Sequence, residues 1–191
     1  MERNLETNKK ISRKNALAKR NLLLPDEIEK MSQTIFERLI GMEEYELCGD
    51  ILVYASFGSE VITDKIIDHA LVMGKNVYLP RVNGNDMDFY MIASRDELEE
   101  GSWHIPEPKP NVCNLFNSNA NALVIMPLVA FDRNGDRIGY GKGYYDRFLS
   151  SHLTGTKIGL AYSLQECEIE SEETDIKMDF VVTEKEIIET V

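Results

Sequence analysis

Cysteine is scarce, basic charge is in the minority and no apolar run is long, and each shortage removes a class of protein. The 191 residues include three cysteines, Cys48, Cys113 and Cys167, an odd number with no CxxC and no Cys/His cluster. A disulfide framework or a zinc site has no material here, so reduced thiols in a cytoplasmic protein are expected. The longest apolar run is ten residues, 122–131, and Pro127 interrupts it. A membrane span needs about 20, so no membrane role is expected. The N-terminal charges precede no apolar segment, and Glu2 and Glu6 sit among few serines, which speaks against a secretory or transit leader. Lys and Arg number 21 against 33 Asp and Glu, a formal net charge of −12. That balance excludes a general nucleic-acid binder, which needs a broad basic footprint.

What basic charge exists is concentrated. Residues 1–20 carry seven bases and two acids, a net of +5, so the remaining 171 carry −17. Residues of about 8–23 read as a helix, on which Lys9, Arg13 and Arg20 fall within about 40° of one another. After Pro25, Ile28, Met31, Ile35, Phe36, Leu39 and Ile40 recur at helical spacing up to Gly41. Residues 51–55 read as a buried strand. Thr63 can cap a helix carrying Ile66, Ile67, Ala70 and Leu71 that Gly74 ends, and 77–79 form a second strand closed by Pro80. Strand, helix and strand at this spacing make a βαβ unit with parallel pairing and a right-handed crossover.

Farther along, 87–92 resembles a strand, 95–100 a helical turn stopped by Gly101, and 103–110, with three prolines, an extended loop. Residues 122–126 are a third central strand, followed by a long polar, glycine-rich loop and a helix over about 143–151. Strands are expected at 157–162 and 180–183, separated by a polar acidic stretch at 165–174. With no repeat and no low-complexity linker, the expectation is α/β: a single three-layer domain over 1–191 with a mostly parallel central sheet flanked by helices.

The chemistry concentrates after the third strand. P-L-V-A-F-D at 127–132 leads to R-I-G-Y-G-K-G-Y-Y-D at 137–146, where Gly139, Gly141 and Gly143 alternate and Lys142 stands between the last two. Such glycines let the backbone approach a bulky anion, the following helix N-terminus adds its dipole, and Lys142 adds a full charge. The spacing matches neither Walker A nor G-x-G-x-x-G. A surface hairpin whose tyrosines merely pack is the plainer reading of the glycines alone; Lys142, the paired tyrosines and Asp146 in the same ten residues favour a phosphate site.

This run, P-L-V-A-F-D-R-N-G-D-R-I-G-Y-G-K-G-Y-Y-D-R-F-L, resembles the signature of the 5-formyltetrahydrofolate cyclo-ligase family, also called methenyltetrahydrofolate synthetases. K-K-I-S-R-K at 9–14, Y-A-S-F-G-S-E-V-I-T at 54–63, L-P-R at 79–81, W-H-I-P-E-P at 103–108 and M-D-F-V-V-T-E at 178–184 are similar to the family's other blocks in the same order. The resemblance implies ATP-dependent cyclisation of 5-formyltetrahydrofolate to 5,10-methenyltetrahydrofolate, with Mg²⁺ and release of ADP and phosphate. It implies phosphorylation of the formyl oxygen followed by ring closure, for which the protein supplies mainly position and charge.

The resemblance implies roles as follows. ATP falls to Lys9, Arg13, Arg137, Gly139, Gly141, Lys142, Gly143, Tyr144 and Tyr145; Lys142, Arg137 and Tyr144 act in the chemistry; and Asp146 and Asp179 hold the metal. Glu60 takes the folate, whose amino and ring N–H groups a carboxylate can accept. Ala55, Phe57 and Trp103 can form the flat apolar wall of that pocket, with Tyr140 stacking where some family members carry Arg. Of Tyr144 and Tyr145 one lines the substrate site and one the core, an order left open at this stage. The expected partners are small molecules, a reduced formyl folate and MgATP, with no nucleic acid and no membrane, acting on a monomer. A sugar-phosphate isomerase or acyl-CoA transferase on a similar layout would use a carboxylate without consuming ATP, and a regulatory binding module would show no turnover.

Overall fold

The computed structural model describes residues 2–152, 154–172 and 175–190. Glu173 and Thr174, the end of the expected acidic stretch, lie outside the described residues. Helix α1 (Glu2–Arg20) starts earlier than its periodicity suggested and stops at Arg20, after which the Leu22 and Leu23 N–H groups turn back to the Lys19 and Arg20 carbonyls at 3.2 Å and Leu24, the residue before Pro25, is extended (φ −76°, ψ 152°). Pro25 then opens α2 (Pro25–Ile40), where the Glu27 carboxylate accepts the Leu24 N–H at 2.8 Å. A short α3 (Glu43–Leu47) precedes β1 (Asp50–Val53), α4 (Asp64–Val72) and β2 (Asn76–Asn83), the expected βαβ unit with β1 and β2 parallel.

Several elements differ from the sequence reading. Strand β2 passes through Pro80 instead of ending there: β1 pairs only as far as Tyr78, so beyond it one flank of β2 carries no sheet partner and a missing N–H costs nothing. Its antiparallel neighbour is β3 (Asp86–Ile92). The helical turn expected at 95–100 is a single 3₁₀ turn at Arg95–Glu97 followed by β4 (Leu98–Glu100). The proline-rich stretch is not all loop: β5 (Pro106–Pro108) pairs with β4 in a two-stranded ribbon whose free edge tolerates proline. Next come β6 (Asn114–Leu115) and β7 (Leu123–Pro127). Inside the long polar loop lies a tight hairpin, β8 (Ala130–Phe131) with β9 (Arg137–Ile138). Its turn is stabilised by Asp132, whose Oδ1 accepts the Asn134 and Asp136 N–H groups at 2.9 and 3.0 Å. Helix α5 (Tyr144–Ser151), β10 (Lys157–Leu160), β11 (Phe180–Val182) and β12 (Ile187–Glu189) complete the chain.

The main sheet has eight strands in the order β12-β11-β10-β7-β1-β2-β3-β6; the middle five are parallel and the outer three antiparallel. Period-two alternation sends Ile51, Val53, Ile125, Ile158 and Leu160 to one face, against Ile35, Leu39, Tyr45, Ile66 and Ile67. Leu52, Val124, Met126 and Val181 go to the other, against Phe89, Phe116, Phe148 and Leu149. Two buried faces on one sheet make the three layers. Helix α1 covers a separate small cluster, placing Ala16 on Val129, Ala130 and Ile138 of the hairpin region.

Candidate active site

The chain leaves β1 towards β2 on one side and leaves β7 towards β10 on the other. Between β1 and β7 the winding therefore reverses, and outside the carboxyl ends of strands at such a switch point is where open sheets hold ligands. Two loops border this crevice, 54–63 after β1 and 128–143 after β7. The first is fastened by Thr63. Its hydroxyl does not cap α4, as its place at the helix start suggested; it donates to the Tyr54 carbonyl at 2.7 Å and accepts the Ser56 N–H at 3.1 Å. Within this loop Glu60 is 7% exposed, and its Oε2 accepts the Phe57 N–H at 2.8 Å.

The second loop is the alternating-glycine run. Gly141 (φ +91°) and Gly143 (φ +65°, the N-cap of α5) adopt left-handed conformations. A Cβ on Gly141 would stand 3.3 Å from the Arg13 guanidinium carbon, so the loop curls directly beneath α1. Arg13 Nε donates to the Gly139 carbonyl at 2.7 Å. Lys9 pairs with Asp175 at 2.5 Å. Arg137, with a side chain only 7% exposed, donates to Asp146 Oδ1 at 2.7 Å and to the Ile176 carbonyl. Helix α1, strand β9, the glycine loop, the start of α5 and residues 175–176 thus meet at one place. Lys142 is exposed, and among the described residues no hydrogen bond or ion pair engages its ammonium.

Aromatic groups close the other end. The Tyr140 hydroxyl accepts from Arg20 at 2.6 Å and donates to Glu60 Oε1 at 2.7 Å, joining the two loops across the crevice. Burial pushes the Tyr140 pKa up to about 12. Burial also raises that of Glu60, against the opposing bonds from Tyr140 and Phe57 and the charge of Arg20. Phe57 and Trp103 are 52% and 55% exposed, and Ala55 is half-buried. Trp103 lies in the β4–β5 connection with φ 56°, and among the described residues no ring contact or hydrogen bond ties it to either loop. Tyr144 donates to the Gly84 carbonyl at 3.3 Å beneath the Arg147 guanidinium. Tyr145 packs edge-on against Phe89, and its hydroxyl is buried with no hydrogen-bond partner among the described residues. Burial lifts the Tyr145 pKa well above its ordinary value, the Glu60 charge adding to the effect and that of Arg137 opposing it.

The structure therefore brings together Lys9, Arg13, Arg137, Gly139, Gly141, Gly143 and Asp146, and separately Glu60 with Tyr140. Asp179 is held elsewhere: its Oδ2 accepts both the Lys157 N–H and the Lys157 ammonium at 2.7 Å. Among the described residues it shares no bonded partner with Asp146. Both acids keep one carboxylate oxygen without a hydrogen bond among the described residues, a hard donor of the kind Mg²⁺ takes. No group of three or more His, Cys, Asp or Glu assembled for a metal occurs among the described residues, so a Mg²⁺ here would complete its shell with phosphate oxygens and water.

Sequence reasoning missed Arg20, Asp175 and Ile176 as site components. Arg20 had a signal, its position on the face of Lys9 and Arg13; the other two had none. A cavity of about 340 Å³ beside α1 is lined by Asn8, Lys9, Ser12, Ile138 and residues 168–170. A larger one of about 660 Å³ lies around Asp132, Arg133, Glu166 and Glu168. Its lining cation, Arg133, is paired with Glu166 and Glu186, as Lys9 of the smaller cavity is paired with Asp175, and Glu168 lines both. No helix among the described residues is long and apolar enough to cross a membrane.

Comparison with known proteins gives one answer. The model of the 5-formyltetrahydrofolate cyclo-ligase family matches residues 6–184. A probable 5-formyltetrahydrofolate cyclo-ligase of Caenorhabditis elegans is 35% identical over 177 residues, covering 85% of this chain and 86% of that protein. The 5-formyltetrahydrofolate cyclo-ligase of Escherichia coli K12 is 31% identical over 177 residues, covering 90% and 97%. The NMR structure of 5,10-methenyltetrahydrofolate synthetase from Aquifex aeolicus superposes with a TM-score of 0.84 at 32% identity, over 95% of this chain and 92% of that one.

Proposed function

The chain belongs to the 5-formyltetrahydrofolate cyclo-ligase family, and from that premise we propose that it spends MgATP at the glycine loop to close the ring of 5-formyltetrahydrofolate in the crevice beside it. A formamide carbonyl is a weak electrophile and its oxygen a very poor leaving group. In this reading that oxygen attacks the γ-phosphorus of ATP; an O–P bond forms, the bond to ADP breaks, and an imidate phosphate results. The lone pair of the neighbouring aniline-type nitrogen then forms the new C–N bond. The C–O bond breaks as inorganic phosphate leaves, and the nitrogen's proton passes to solvent.

Each residue has a task in this scheme. Lys142, Arg13 and the N–H groups of the glycine loop and α5 would neutralise the polyphosphate. Arg137 holds Asp146 in place, and Asp146, with Asp179 as the second candidate, would hold Mg²⁺, a cation that would supply neutralising charge for the phosphates. Lys9 reaches the nucleotide once it exchanges Asp175 for phosphate. Glu60 would accept the pterin's donors, with Phe57 and Trp103 as exposed aromatic walls, while Tyr145, its hydroxyl buried against the core, is the tyrosine of the pair that packs. The reading is supported above all by the Lys142 ammonium, unengaged among the described residues, on a glycine-flanked loop whose Tyr140 bonds Glu60 and which leads into the helix carrying Asp146, the partner of Arg137. We take the enzyme to act on these two small molecules alone, as a cytoplasmic monomer.

The test is coupled product counting. ADP release should require 5-formyltetrahydrofolate and match, mole for mole, the appearance of methenyl absorbance in the near ultraviolet. Methenyl product without ADP would overturn the ATP-driven scheme; no methenyl product at all would favour an isomerase or transferase acting through a carboxylate.

A further inference from the structure

Arg20 is a buried cation without a direct counter-ion. It is 3% exposed, and no carboxylate lies within ion-pair distance of it among the described residues. A buried charge normally demands pairing. Arg20 instead spends its guanidinium on three neutral acceptors: Nε donates to Ser59 Oγ at 3.0 Å, one terminal nitrogen to the Leu128 carbonyl at 3.3 Å, and the other to the Tyr140 hydroxyl at 2.6 Å. Ser59 belongs to the loop after β1, and Leu128 and Tyr140 to the loop after β7. A single side chain of α1 therefore clamps both borders of the crevice.

The direction of the resulting relay is fixed by valence. A guanidinium has only donors, so the Tyr140 oxygen must accept from Arg20, and an ionised Glu60, which has only acceptors, takes the Tyr140 proton on Oε1. Because Glu60 Oε2 takes the Phe57 N–H, both carboxylate oxygens are oriented from within the protein. We propose that Arg20 is a positioning residue for the folate end of the site: acting through Tyr140, it keeps Glu60 ionised and aimed into the crevice. This rests on Glu60 being the carboxylate that receives the formyl folate.

The surroundings explain why such a group is needed. Facing Glu60 are Tyr54 from the end of β1, Tyr145 from α5, Tyr162 after β10, Tyr140 from the glycine loop and Arg20 from α1. Four of these five are neutral hydroxyls, and the Tyr162 hydroxyl is committed to the Glu60 carbonyl at 3.0 Å. Arg20 is the one cation in the set. Burial already favours the protonated Glu60, and without the cation that tendency would go unopposed except by two neutral hydrogen bonds.

The experiment is a pH series of steady-state kinetics on full-length Arg20→Gln, Arg20→Lys, Tyr140→Phe and Glu60→Gln. As pH falls Glu60 protonates, so KM for 5-formyltetrahydrofolate rises, and the rise should begin at higher pH in Arg20→Gln than in the parent. At neutral pH that variant should show KM raised by about tenfold or more, the usual scale for losing a charge-assisted bond, with KM for MgATP little changed. Arg20→Lys, which keeps the charge, should return the pH profile towards that of the parent. Tyr140→Phe, which keeps the ring and removes only the hydroxyl of the relay, should reproduce the displaced profile. A Tyr140→Phe or Arg20→Gln profile superposable on the parent's, or equal weakening of both substrates, would overturn the assignment, as would an Arg20→Lys profile no different from that of Arg20→Gln. If Glu60→Gln itself leaves KM for the folate unchanged, the underlying placement of the folate fails, which is a separate result.

Discussion

Replacing Lys142 by Met separates catalysis from folding more cleanly than any other change in the site. The ammonium is exposed and makes no hydrogen bond or ion pair among the described residues, and only the backbone carbonyl of Lys142 is used, by Arg147 at 2.9 Å. Removing the charge strands no partner, so the stability change should stay within about 0.5 kcal/mol. For a 191-residue chain that is a Tm shift of no more than about 2 °C. The rate is another matter. A cation aimed at charge that develops on a transferring phosphoryl group is commonly worth about 2.7–4 kcal/mol, and at 1.36 kcal/mol per decade kcat should fall roughly 10²- to 10³-fold. Arg137→Met is the contrasting control. It takes the Arg137 donor from the Ile176 carbonyl and from Asp146 Oδ1, which keeps only the Ile176 N–H at 3.5 Å, costing about 1–3 kcal/mol, so its Tm should drop by several degrees along with its rate. Thermal unfolding beside coupled ADP and methenyl assays reads both quantities. Near-parental turnover by Lys142→Met would refute the phosphate role of the loop, and a large Tm loss would refute the claim that its side chain is free in the folded protein.

Other changes should have their own signatures. Glu60→Gln should weaken 5-formyltetrahydrofolate about 10- to 100-fold in an equilibrium titration while sparing MgATP. The folded-state pKa of Glu60 is raised by burial, so its stabilising contribution is complete below the ordinary carboxylate pKa and is lost as pH climbs through the raised one; the parent's Tm advantage on acidification should shrink in the variant. Gly141→Ala must place a side chain at φ +91° and 3.3 Å from the Arg13 guanidinium. It should lose about 1–2 kcal/mol of stability and raise KM for MgATP, and an unaltered KM would mean that Arg13 does not serve the nucleotide. Asp146→Asn should be partly rescued by raising Mg²⁺, a response that titration should show to be missing from Lys142→Met.

The sheet was readable because its residues obey short-range rules. Ile51, Leu52 and Val53, and again Leu123 to Met126, are buried on both faces, as unbroken apolar strands of a parallel sheet must be. Gly74 at φ +73° and Gly143 at φ +65° mark a helix end and a helix start as their positions suggested. What escaped is made of elements too short for a period to register, such as the two-residue strands β8 and β9. Also hidden were pairings with no local trace: Tyr140 meets Glu60 across 80 positions, and Asp179 is claimed by Lys157 from 22 residues away. The basic face of α1 was visible, but a helical wheel cannot tell a cation turned to a ligand from one sunk in the protein. Lys9, Arg13 and Arg20 share that face, yet Arg20 is buried on uncharged acceptors.

Helix α1 also carries a consequence for how the molecule is made. Its bonds reach forward across 126 positions from Arg13 to Gly139, 120 from Arg20 to Tyr140 and 166 from Lys9 to Asp175. Helix α1 is thus late to find its contacts, because the hairpin and the 175–176 segment that receive it are translated long after it. Holding so distant a pair together is thermodynamically mild, since each doubling of a loop adds only about 0.6 kcal/mol, but contacts of such long range are late in time. On a nascent chain the sheet from β1 to β7 can assemble while α1 waits as a free cationic helix, and competence to hold a nucleotide should emerge as a separate, terminal phase after the bulk of the secondary structure has formed.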